Sequence, residues 1–91
     1  MRIRWTPAAA ADLEQISDYL QDRHPNYRQS TMRKLYDTVR SLRQSPDRGR
    51  PGREDGTREL FVVPLPYVVA YRADQQFVEV LRVYHTAQDR G

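Results

Sequence analysis

The feature that most limits the fold of this chain is its last third. Three short apolar runs, at residues 57–63, 67–73 and 77–84, are separated by only two turn signals. The first turn is Pro64-Leu65-Pro66 and the second is centred on Asp74-Gln75-Gln76. Connections this short join antiparallel neighbours, because a parallel return needs a long crossover. Leu60-Phe61-Val62-Val63 and Tyr67-Val68-Val69-Ala70-Tyr71 are apolar on both alternations, which predicts central strands. A meander of this kind must bury an apolar face under another layer.

The cover lies upstream. Thr6-Pro7 reads as an N-cap followed by proline in the first helical turn. Ala9, Leu13, Ile16 and Leu20 then recur at helical spacing, so a first helix is predicted over residues 7–23. Asp12 and Glu14 lie near its positive end and suit the helix dipole. His24-Pro25 breaks the helix, since a residue before proline avoids the helical region. Met32, Leu35, Tyr36, Val39 and Leu42 mark the buried stripe of a second helix, predicted over residues 26–45. The short break between the two implies an antiparallel hairpin. Residues 2–5 alternate Arg-Ile-Arg-Trp and predict a further strand on the same sheet. The expected fold is α+β, ordered β-α-α-β-β-β, a single domain over residues 1–91. Its sheet is mainly antiparallel, with a helical hairpin on one face.

Ninety-one residues hold one modest core. There is no cysteine, which excludes disulfides and thiolate chemistry. No apolar leader or run long enough to span a membrane is present, so a cytoplasmic protein without membrane contact is expected. The net charge is +3, and the cations are 14 arginines and one lysine, Lys34. Arginine suits bidentate contact with phosphates and carboxylates. Residues 1–45 carry eight basic and five acidic side chains, and residues 46–91 carry seven of each. The charge admits an ordinary solvated surface, a nucleic acid or an acidic protein partner.

Arg58, Arg72 and Arg82 each fall in a different C-terminal strand, and His85 ends the last. If their faces agree they could hold a phosphate and move a proton beside it. RNA cleavage through the 2′-hydroxyl needs that set: a base, an acid, and cations for the charged phosphorane. Glu54 or Glu59 could accept a proton, and Tyr84 could stack on a base. Arg50 and Arg53, in a loop with Gly49, Pro51, Gly52 and Gly56, could contact the substrate. The structural alternatives stand beside this. A strand arginine is commonly an ion-pair partner, and Arg58 could pair with Glu79 across the strands. In a regular strand, Arg82 and Tyr84 share one face and His85 the other. No metal site or cofactor is indicated, and no Walker, Rossmann or nucleophile-elbow motif occurs.

The order of these motifs resembles the RelE/ParE superfamily of toxins from type II toxin–antitoxin modules. The resemblance is carried by Trp5-Thr6-Pro7 through Asp12-Leu13 with Ile16 and Tyr19. It continues through Ser45-Pro46, Gly49-Arg50-Pro51-Gly52-Arg53 and Gly56-Thr57-Arg58-Glu59-Leu60. Pro66 to Arg72, Leu81-Arg82-Val83-Tyr84-His85 and Ala87-Gln88-Asp89 complete it. It implies a cognate antitoxin that masks the toxin and itself contacts operator DNA. It implies one of two targets: mRNA on the ribosome, cut without a metal, or DNA gyrase, poisoned without catalysis. Arg-Glu-Leu, Tyr-Arg and Arg-Val-Tyr-His fall where His-bearing RNase toxins place their arginines and histidine. The long helical hairpin and the scarcity of lysine look more like the ParE side. The resemblance leans to mRNA cleavage, with His85, Arg82, Arg72 and Arg58 catalytic and Arg50, Arg53 and Tyr84 binding substrate. Gyrase inhibition is the alternative.

Overall fold

The computed structural model describes residues 1–87, so Gln88 and Asp89 of the last motif lie outside the described residues. Chain order is β1 (Arg2–Trp5), α1 (Pro7–Arg23), α2 (Pro25–Ser41), β2 (Arg50–Pro51), β3 (Arg58–Phe61), β4 (Tyr67–Ala73) and β5 (Phe77–His85). The strands form one sheet in the order β1-β5-β4-β3-β2. β1 joins β5 in parallel, and the remaining pairs are antiparallel.

Local chemistry sets the element ends. Thr6 caps α1, its Oγ1 accepting from the Ala9 N–H at 3.1 Å. The His24 N–H closes the helix on the Leu20 carbonyl at 2.7 Å, and Pro25 starts α2. α2 ends at Ser41, four residues before the predicted stop. Beyond it, the N–H groups of Leu42, Arg43 and Gln44 bond three residues back, a tighter winding than an α-helix. Leu42 is nevertheless fully buried. β2 was expected to be loop; Arg50 and Pro51 pair with Glu59 and Arg58 at the sheet edge. Proline fits there because an edge strand can spare an N–H.

The core lies between the sheet and the hairpin. Ala9 and Leu13 of α1, with Leu35 and Val39 of α2, meet Leu60, Val69, Tyr71, Val78, Val80 and Val83. Asp12 departs from the expectation: it belongs to the buried residues of α1 and answers a β-strand, not the helix dipole.

The strand it answers carries a bulge. β4 pairs Ala70 with Arg82 and Tyr71 with Val80, leaving Leu81 as the extra residue. Two groups at the bulge are taken up by the start of α1. Thr6 Oγ1 donates to the Leu81 carbonyl at 2.9 Å, and Asp12 Oδ2 accepts from the Val83 N–H at 2.9 Å. The bulge lets Val78, Val80 and Val83 all face the core although their spacing is two and then three.

The β4–β5 turn is held by Asp74, whose Oδ1 accepts from the N–H groups of Gln76 and Phe77, each at 2.8 Å. Those bonds, the one from Phe77 foremost, hold its carboxyl below the usual value. A lowered pKa gives stability that is present above the unfolded value and lost as pH falls through the folded one. The stability difference between wild type and Asp74→Ala is therefore expected to be constant above about pH 5 and to shrink below it. Urea unfolding at a series of pH values checks this; a difference that grows on acidification would contradict it.

Candidate functional site

Residues directly opposite in a sheet share a face, so the registers place the candidates that lie in strands. Leu60, Val69 and Val83 are aligned and face the helices, as are Tyr67 and His85. Glu59, Ala70 and Arg82 are aligned on the other, uncovered face. Tyr84 follows there opposite Val68, and Arg72 lies there opposite Glu79.

His85 therefore belongs to the helix side. Its ring meets Tyr67 edge-on at 5.6 Å, and its Nδ1 accepts from the Ala87 N–H at 3.1 Å. It rims a groove of about 570 Å³ with Tyr19, His24, Thr31, Leu65 and Asp12. Arg72 is on the opposite face, five residues along β4 from the partner of His85, about 17 Å at strand rise. Its Nε lies 3.9 Å from Glu79, so Glu79 pairs with Arg72 and not with Arg58.

Arg58 stands opposite Tyr71 on the helix side, in the strand next to the edge strand β2. It donates to the Gly49 carbonyl at 2.8 Å and lies 3.5 Å from Asp47. It thus braces the loop that precedes β2.

Arg82 is gripped by Asp12. Its Nε and Nη2 donate to the two carboxylate oxygens at 2.7 and 3.0 Å, a fork-to-fork contact. That hydrogen bond, and then the charge of Asp12, raise the guanidinium's pKa. Asp12 was the residue that sequence reasoning missed as a partner. The available signal was a carboxylate one position from Leu13 on an apolar helix face.

The uncovered face keeps a cationic and aromatic character. Arg50 lies 3.6 Å from Glu59 and 4.7 Å from the Phe61 ring centre; Arg4 sits 4.0 Å over Phe77 and Arg82 5.5 Å over Tyr84. Arg53, Glu54, Thr57, Glu59, Arg82 and Tyr84 rim a depression of about 380 Å³. So Arg50, Arg53, Arg82 and Tyr84 are brought to one face, with Arg72 further along it. Arg58 and His85 are not. Among the described residues, no three His, Asp or Glu side chains gather as metal ligands. No helix there is long and apolar enough to cross a membrane.

A five-stranded mixed sheet backed by a helical hairpin, with an arginine-rich open face, defines a small toxin of the RelE/ParE type. Residues 3–90 match the model of the ParE toxin of the type II toxin–antitoxin system parDE, and the chain belongs to that family. It is 37% identical over 87 residues to putative toxin Y4kP of Sinorhizobium fredii, covering 96% of this chain and 90% of that one. It is also 37% identical over 87 residues to toxin RelE2 of Caulobacter vibrioides, covering 96% and 97%. Among solved structures, the chromosomal ParDE toxin–antitoxin system of P. aeruginosa superposes with a TM-score of 0.85 at 27% identity. That match covers 93% of this chain and 95% of the other.

Proposed function

We propose that this toxin acts by occupying a protein target, DNA gyrase, and not by cutting mRNA, and that a cognate antitoxin neutralises it. The observation that carries this reading is the separation of His85 from Arg72. They lie on opposite faces and about 17 Å apart along β4. General acid–base chemistry on one phosphate needs its groups within hydrogen-bond reach of the same few atoms. Arg82 is already committed to Asp12, and Arg58 to the 47–49 loop. The resemblance to the ParDE system of P. aeruginosa supports the same side of the family and the antitoxin partner.

The test reads both targets together. Purified toxin is expected to inhibit supercoiling by purified gyrase. The same preparation is expected to leave mRNA uncut in a translating extract, read by primer extension. His85→Gln is expected to retain gyrase inhibition within about twofold. Codon-phased cuts that disappear with His85→Gln would replace this reading with ribosome-dependent cleavage.

A further inference from the structure

Another large concavity lies on the hairpin, and none of the candidate site residues lines it. It is a groove of about 710 Å³ between α1, α2 and the end of β1. One wall is aromatic: Trp5 and Tyr36 meet edge-on at 5.7 Å, with Met32 beside them. Tyr36 is 45% exposed, a large ring half open to solvent. The other wall is acidic. Glu14 and Asp18 are one turn apart on α1, both exposed and both lining the groove.

Among the described residues neither carboxylate is in an ion pair. Arg28, the cation at the groove's rim, donates its Nε to Ser17 Oγ at 2.9 Å. Like charges at this spacing destabilise a helix by a few tenths of a kcal/mol. A chain of net charge +3 thus holds two unneutralised acids beside an open aromatic wall. An inserted guanidinium or ammonium would relieve the repulsion, and the aromatic wall of the same groove offers it a ring face. Phosphate would be repelled, so the surface does not suit nucleic acid.

We infer that this groove is a docking site for the antitoxin. Its occupant is a peptide segment that places an arginine or lysine between the Glu14–Asp18 carboxylates and the Trp5–Tyr36 wall. Aromatic and arginine anchors of this kind supply most of the energy of protein interfaces. The inference rests on the proposed antitoxin but on neither proposed target.

Trp5 is the single tryptophan of the chain and reports the groove directly. Overlapping peptides of the cognate antitoxin, with any Trp replaced by Phe, are titrated while Trp5 fluorescence is followed. A peptide carrying a basic residue is expected to shift the emission, and its Arg/Lys→Ala version to lose at least tenfold in affinity. Glu14→Gln with Asp18→Asn is expected to weaken binding at least tenfold and to flatten its salt dependence. The variant's Tm should equal or exceed that of wild type, which separates recognition from folding. Equal affinity for wild type and variant, or tightest binding by a peptide without a cation, would overturn the inference. If the intact antitoxin fails to bind wild-type toxin at all, the neutralisation reading itself falls.

Discussion

Replacing Asp12 with alanine is expected to lower the unfolding free energy by about 2 to 3 kcal/mol. Two groups lose their partner together. The buried Val83 N–H is left without its carboxylate acceptor, which costs about 1–3 kcal/mol for a group cut off from water. Arg82 loses both bonds of its fork, but its side chain is 48% exposed and water takes up much of that loss. In a domain of this size each kcal/mol moves Tm by about 4–8 °C, so a fall of about 10–20 °C is expected. Arg82→Ala should cost less, about 1–2 kcal/mol, because Asp12 keeps the Val83 N–H. The two losses should not add, since the variants share one contact. Urea unfolding of both single variants and the double variant measures this. A loss below 1 kcal/mol for Asp12→Ala would show that the carboxylate does not hold the bulge.

Elsewhere, element limits were legible where a cap residue or a proline marks them. The first helix was predicted over residues 7–23 and is Pro7–Arg23, because its limits are written in Thr6-Pro7 and His24-Pro25. The strand Tyr67–Ala73 was likewise fixed by proline on one side and an Asp turn on the other. α2 was predicted too long because Ser45-Pro46 reads as its stop, whereas the α-helical bonding ends at Ser41 and the chain winds on more tightly past the buried Leu42. β2 has no signal of its own, since two residues pair only because β3 offers its edge.

The site was less legible, for a geometric reason. Strand neighbours can be read from turns, but faces depend on every intervening residue. The spacing of Val78, Val80 and Val83 announces the bulge, because a regular strand cannot bury all three on one side. With that step, the placement of Tyr84 opposite Val68 and His85 opposite Tyr67 follows. Which cation each acid would take was not legible. Arg58 chose Asp47 and a loop carbonyl, whereas Glu79 went to Arg72, the residue directly across.

Gly49→Ala is expected to destabilise the fold by about 2 to 3 kcal/mol and to displace the arginine-bearing loop with it. A Cβ at this position would sit 2.8 Å from both Cε1 and Oη of Tyr71 and 3.0 Å from the Glu59 carbonyl oxygen. None of these can yield cheaply: Tyr71 is fully buried in the core, and Glu59 is in β3. The closeness has a purpose in the fold. Tyr71 Oη accepts from the Gly49 N–H at 2.9 Å and donates to the Pro46 carbonyl at 2.6 Å, so one hydroxyl pins both ends of the 46–49 turn. Burial raises the phenol's pKa, a rise that the Gly49 N–H bond and then Arg58 partly offset. A raised value means that the bonded, neutral form gives its stability below about pH 10 and loses it as pH climbs past the folded value. Tyr71→Phe should therefore cost about 1–3 kcal/mol at any pH from 5 to 9, and the gap should close in alkali. Combining it with Gly49→Ala removes the Oη clash but leaves Cε1 and the Glu59 carbonyl in place. The double variant should then be less damaged than the sum of the two and still less stable than Tyr71→Phe alone. Strict additivity in urea unfolding would mean that the turn and the hydroxyl are independent, and that Arg48, Arg50 and Arg53 owe their placement to something other than Tyr71.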